Sequence, residues 1–103
     1  MTDSGPVFEA LGDPTRREVV RRLAESGPAS ATQLAAGLPV TRQAVAKHLA
    51  ALEEAGLVRG ERSGRERQFR LTPAPFSEAV TWMVDVGAEW DLRLERLRKR
   101  LGG

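Results

Sequence analysis

The most constraining stretch of this chain runs from Ser30 to Leu57, where helix starts and helix stops alternate at close range. Ser30 is followed three residues later by Gln33, a capping-box pattern in which each side chain satisfies a backbone N–H of the other residue. Gly37 ends that helix after about two turns. Leu38, Pro39 and Val40 make a short turn, and Thr41 is the next N-cap. From Arg42 to Ala55 the sequence reads RQAVAKHLAALEEA, which places Val45, Leu49 and Leu52 on one face. Gly56 suits the left-handed conformation that closes such a helix. A short helix, a tight turn and a longer helix with an apolar rear define a helix-turn-helix, a unit able to lay its second helix in a DNA major groove.

The rest of the chain is read around that unit. Six prolines, at 6, 14, 28, 39, 73 and 75, mark boundaries, because proline is accepted at a helix start and breaks a helix interior. Val7, Phe8 and Leu11 form a short apolar segment between Pro6 and Gly12. Asp13 caps a helix that opens at Pro14 and runs to about Glu25, with Val19, Val20 and Leu23 as its apolar stripe and Arg16, Arg17, Arg21 and Arg22 facing elsewhere. After Gly56 the period changes. Residues 57–62 and 68–71 read as two strands joined by a turn at Ser63, Gly64, Arg65 and Glu66, with Phe69 and Leu71 on one face. Thr72–Pro75 is expected as a spacer before a long helix from Pro75 to Leu101. Val80, Met83, Gly87, Trp90, Leu94, Leu97 and Leu101 recur along it at three-four spacing. The expected fold is mainly α with a β-hairpin, in the order α-α-α-α-β-β-α, forming one winged helix-turn-helix domain over residues 1–103.

Composition removes several functions. The chain has 103 residues, no cysteine and one histidine, which excludes disulfide and thiolate chemistry and an ordinary zinc site. No apolar run approaches the roughly 18 residues that span a bilayer, and MTDSGP at the start does not read as a secretion signal, so a soluble cytoplasmic protein with no membrane partner is expected. No Ser-His-Asp, Cys-His or glycine-rich phosphate motif is present, which argues against an enzyme and for no cofactor. The net charge is only +2, yet residues 41–70 hold seven basic side chains against four acidic ones.

That bias falls where a DNA contact would need it. With Val45, Leu49 and Leu52 turned inward, Thr41, Arg42, Gln43, Ala46 and Lys47 remain for the front of the second helix. Arg42 suits a bidentate contact to guanine and Gln43 one to adenine. The Thr41 hydroxyl and the helix amino end suit a phosphate. The hairpin adds Arg59, Arg62, Arg65, Arg67 and Arg70, with Arg65 beside the turn glycine as its tip. Blander readings stand beside these. The three helices also read as a plain core and the hairpin arginines as a solvated face, and a module for protein contacts is the other binding reading, one the wing arginines argue against. His48 reads as a packing or hydrogen-bonding residue rather than a ligand. Glu53 and Glu54, being adjacent on a helix, make a poor acid–base pair.

Three stretches carry a family resemblance: ALGDPTRREVVRRL (10–23), TRQAVAKHLAALEEAGLV (41–58) and GRERQFRLTP (64–73). Together they resemble transcription repressors of the arsenic-repressor (ArsR/SmtB) type over about residues 7–101. The resemblance implies a homodimer that binds an inverted-repeat DNA operator. Thr41, Arg42, Gln43, Ala46 and Lys47 fall on its DNA-facing positions, and Arg65 and Arg67 on its wing positions; Arg62 is added to the DNA set from the charge of the hairpin. The resemblance also implies dimerisation through segments 6–12 and 75–101. The expected interface is Val7, Phe8, Leu11, Trp82, Met83, Val86, Trp90, Leu94 and Leu97. The metal-sensing members use Cys pairs or Asp/His sets, whereas residues 32–38 here lack Cys and the last helix offers Asp85, Glu89, Asp91 and Glu95 without His. Carboxylates alone bind transition metals weakly, so no metal site is expected and the chain is similar to the non-metal-sensing branch. An inducer, small molecule or protein, is left unnamed by the residues.

Overall fold

The structure, a computed structural model, describes residues 4–102. Its elements are α1 (Gly5–Ala10), α2 (Pro14–Ser26), α3 (Ala31–Ala36), α4 (Arg42–Glu54), β1 (Val58–Ser63), β2 (Glu66–Leu71) and α5 (Pro73–Arg100). The order is the expected one. Residues 1–3 and 103, which the single-domain expectation also covers, lie outside the described residues.

The caps fix the helix starts. The Asp13 carboxylate accepts the N–H groups of Thr15 at 2.7 Å and Arg16 at 3.2 Å, and Pro14 occupies the first turn, where its missing N–H costs nothing. Hydrogen bonding from the Arg16 N–H is the main reason this carboxyl sits below the usual range. Ser30 and Gln33 form the full reciprocal box: Ser30 Oγ accepts the Gln33 N–H at 3.1 Å and Gln33 Oε1 accepts the Ser30 N–H at 2.8 Å. Thr41 Oγ1 accepts the Ala44 N–H at 3.1 Å. Gly27 and Gly56 both take φ of 80°, the left-handed conformation that terminates α2 and α4 without a Cβ penalty.

All five helices and one face of the hairpin contribute to one core. Val19, Val45, Leu49, Leu52 and Leu57 are completely buried, and Val7, Ala10, Leu23, Leu34, Val58, Phe69 and Ala79 nearly so. The apolar rear of α4 seats against α2 and α3. Two arginines of α2 bind carbonyls at chain turns: Arg17 Nη1 donates to Leu11 O and Arg22 Nη2 to Gly37 O, both at 2.7 Å.

β1 and β2 pair antiparallel from Val58↔Leu71 to Ser63↔Glu66, leaving Gly64 and Arg65 as a two-residue turn. Gly64 has φ of 65° and Arg65 a negative φ, as a type II′ hairpin requires. β2 has a neighbour on its other edge as well. Ala29 and Phe69 exchange both backbone hydrogen bonds, at 3.1 and 2.8 Å, so the residue before α3 acts as a one-residue third strand.

Three boundaries depart from expectation: β1 spans Val58–Ser63 rather than 57–62, β2 begins at Glu66 rather than Gln68, and the start of the last helix moves as well. α5 begins at Pro73 rather than Pro75, so there is no spacer: Thr72 is the N-cap, and a proline at the first helical position already has helical φ. At 28 residues α5 runs about 42 Å, and the chain extends 66 × 30 × 20 Å. Ala79 is its buried residue, and α1 its neighbour: the Phe8 and Trp82 rings meet at 5.6 Å between centroids, tilted by 59°. Beyond this contact the helix stands clear of its own domain.

Candidate nucleic-acid interface

The amino-terminal half of α4 leaves Thr41, Arg42, Gln43, Ala46 and Lys47 exposed, opposite the buried Val45, Leu49 and Leu52. Arg42 is not a loose side chain. Its Nε donates to Thr32 Oγ1 of α3 at 3.0 Å, which ties down the stem of an otherwise exposed side chain. Arg42, Ala46 and Ala50 of α4, Thr32 of α3, and Arg65, Glu66 and Arg67 of the hairpin line one groove of about 300 Å³. The turn of the hairpin and the front of α4 therefore border a common concavity.

The hairpin arginines are not equivalent. Arg59 and Arg70 both reach Glu61, at 3.6 Å each. Arg67 holds Glu53 of α4 through two hydrogen bonds, Nη2 to Oε2 at 3.0 Å and Nη1 to Oε1 at 3.4 Å, and stacks at 5.2 Å over the Phe69 ring. Arg62 and Arg65 are exposed and make no ion pair or hydrogen bond among the described residues. Of the three hairpin arginines expected at DNA, two are thus uncommitted and the third is bound to the protein itself.

Sequence reasoning passed over Glu53. Its carboxylate also accepts the Gly60 N–H at 3.1 Å, so it joins the end of α4 to both strands. The Arg67 hydrogen bond, followed by that of Gly60, holds the Glu53 carboxyl below its usual range. A carboxyl with a depressed folded pKa stabilises the fold above its unfolded pKa and loses that contribution as pH falls through the folded value. The contact is therefore fully formed at neutral pH. The acid–base partner considered for Glu53, Glu54, has no part in it. His48, half-buried, accepts from Arg16 Nε at 3.3 Å through Nδ1, a packing and hydrogen-bonding role.

The candidate pairing surface lies elsewhere. Among the described residues, all the exposed large hydrophobic side chains except Phe8 lie at Val80 or beyond, including Trp82, Met83, Trp90, Leu94 and Leu97. Leu11 and Val86 are half-buried. Val7 is only 4% exposed within its own chain, because α1 turns it into the core; it has almost no surface to offer a partner. No group of three or more His, Asp or Glu side chains that could hold a metal ion occurs among the described residues.

A recognition helix with a polar front, seated by a short helix and flanked by a β-ribbon, defines the winged helix-turn-helix class of DNA-binding proteins. Comparison with known proteins narrows this. A family profile for a helix-turn-helix domain matches residues 11–61. The chain is 43% identical over 85 residues to the uncharacterized HTH-type transcriptional regulator YuzN of Bacillus subtilis, covering 77% of this chain and 92% of that one. It is 30% identical over 105 residues to the arsenic resistance transcriptional regulator ArsR1 of Pseudomonas putida, covering 91% and 79%. Its fold matches an ArsR-like transcriptional regulator from Rhodococcus sp. RHA1 with a TM-score of 0.81 and 42% identity, over 93% of this chain and 90% of the other. The chain belongs to the ArsR family of winged helix-turn-helix transcriptional regulators, DNA-binding proteins whose members include repressors. No helix among the described residues is long and apolar enough to cross a membrane.

Proposed function

We propose that this protein is a cytoplasmic repressor that binds an imperfect inverted-repeat operator as a homodimer. The observation that carries the reading is the shared groove, in which the exposed front of α4 meets a wing whose Arg62 and Arg65 have no partner among the described residues. Thr41, Arg42, Gln43, Ala46 and Lys47 enter the major groove, with Arg42 reading guanine. Arg62 and Arg65 take flanking phosphates or the minor groove. Two copies join through the exposed residues of α1 and α5, which sets the recognition helices about 34–36 Å apart, one turn of the duplex. The residue chemistry supports a trigger other than a metal: the chain has no cysteine and one histidine, and that histidine is engaged by Arg16.

The direct test selects duplexes from a random-sequence pool with purified protein and titrates the best of them by fluorescence anisotropy across a salt series. Saturable binding to an inverted repeat, weakening steeply with salt, is expected. Equal binding to all duplexes would end the sequence-specific reading.

Two substitutions separate the roles. Arg42→Ala should relax discrimination at one position of each half-site by about 1–3 kcal/mol, read by titrating duplexes altered at that base pair. Arg65→Ala should weaken binding to every duplex alike and flatten the salt dependence, by about 0.9 in the log–log slope for each phosphate that is no longer neutralised. An Arg65→Ala protein with unchanged slope would remove that residue from the interface.

A further inference from the structure

We infer that Glu53 is the positioning residue of the wing, and that Arg67 serves this contact rather than the DNA backbone. The inference rests on the DNA-binding reading above and deepens it. Three elements converge on one carboxylate. Glu53 lies in the last turn of α4, Gly60 in β1 and Arg67 in β2, and the carboxylate takes the Gly60 N–H at 3.1 Å and both terminal nitrogens of Arg67. Arg67 closes the loop by donating from Nη2 to the Gly60 carbonyl at 3.2 Å. The guanidinium lies across Gly60 so closely that a Cβ at that residue would come 2.8 Å from Arg67 Cζ and 2.9 Å from Phe69 Cε1. Only glycine lets the arginine cross the strand there. Phe69 beneath it is buried and pinned on its far side by Ala29.

The interlock fixes the hairpin to the carboxyl end of the helix whose amino end meets DNA. Bidentate geometry gives orientation as well as attraction, because a planar fork on a planar carboxylate resists rotation. Arg62 is the cross-strand partner of Arg67, and Arg65 stands two residues before Arg67 in the turn, so their reach toward a duplex depends on where this contact holds the strands. Two like charges facing each other across a ladder repel, and pairing Arg67 with Glu53 relieves that repulsion while leaving Arg62 uncommitted.

Electrostatics alone makes the opposite forecast, which makes the test decisive. Glu53 is an anion near a polyanion. If position did not matter, Glu53→Gln would remove a repulsion, release the Arg67 charge and tighten DNA binding. Positioning predicts a loss instead, of about tenfold for the dimer, within the range that two half-exposed pairs supply. Arg67→Gln should weaken binding by a similar factor, and the double variant Glu53→Gln/Arg67→Gln should be no worse than either single variant, since each removes the same interaction. Arg65→Ala should then cost much less in the Glu53→Gln background than in the parent. The titration uses the duplex selected by the parent protein, at a temperature where thermal melts show every variant folded. A DNA-independent readout accompanies it: amide hydrogen exchange at Gly60 should accelerate in both single variants. Glu53→Gln and Arg67→Gln shifting affinity in opposite directions, additive effects with Arg65→Ala, or unchanged Gly60 exchange would each overturn the inference. Failure of the parent itself to bind any duplex strikes the DNA reading alone, and the exchange measurement still decides the interlock.

Discussion

Replacing Trp90 and Leu94 together by glutamate is expected to leave a folded chain that sediments as a single copy and binds the selected operator on the order of 10²–10⁴-fold more weakly. The size of the effect follows from linkage. A dimer that has engaged one half-site holds its second recognition helix at millimolar effective concentration beside the other, and separate chains forfeit that advantage. The fold should survive because neither side chain is needed by it: Trp90 is 56% exposed and Leu94 54% exposed in the single chain. A monomeric domain rarely leaves so long an apolar stripe in water, and burying the remainder of each large side chain contributes a fraction of about 1.5–3 kcal/mol. In the proposed dimer, two-fold symmetry would multiply the effect, since each substitution would place like charges on both copies of the same patch. Analytical ultracentrifugation gives the state, circular dichroism the fold and anisotropy the affinity. A double variant that remained dimeric would show that these residues face solvent in the assembly, and one that became monomeric with undiminished affinity would end the requirement for pairing.

The features legible in the sequence are the local ones. Asp13, Ser30 and Thr41 each cap a helix because a short polar side chain reaches an N–H two or three residues on, and that reach is written in the spacing. The apolar rear of α4 and the stripe of α5 are likewise periodicities, and both are legible. The hairpin turn follows from Gly64. The hidden features depend on residues far apart in the chain. Nothing in the run GRERQFRL states that Phe69 will pair with Ala29, forty residues earlier. Charge counting locates the basic stretch correctly but does not say which arginines the fold consumes: Arg67 by Glu53, Arg17 and Arg22 by carbonyls, Arg16 by His48. In the sequence Glu53 stands beside Glu54, whereas its partners in the fold are seven and fourteen residues away. The start of α5 is ambiguous in the sequence because two prolines two residues apart both qualify as a first position, and Thr72 rather than Ala74 supplies the N-cap.

The largest effect on stability is expected at Leu49. It is completely buried, in the company of Val19, Val45, Leu52 and Leu57, each also without exposure. Leu49→Ala removes three carbons from that packed site and leaves a void the rigid surroundings only partly close, a change that costs about 2–5 kcal/mol. A single domain of this length has roughly 5–15 kcal/mol to lose, so the melting temperature should drop by roughly 10–25 °C. Leu97→Ala is the matching control, with the same chemistry at a residue half-exposed in the single chain. It should leave the intrinsic stability of the domain almost unchanged and act instead through association, so its melting temperature should vary with protein concentration. The contrast separates the two apolar surfaces of the molecule. Leu49 holds the rear of the recognition helix against α2 and α3, so a loosened seat there should also lower operator affinity below the melt, as α4 samples orientations that no longer match the groove. Differential scanning calorimetry of both variants at two protein concentrations distinguishes these outcomes. Similar, concentration-independent losses for Leu49→Ala and Leu97→Ala would mean that α5 belongs to the domain's own core and that the stripe on its outer half is not a meeting surface for a second chain.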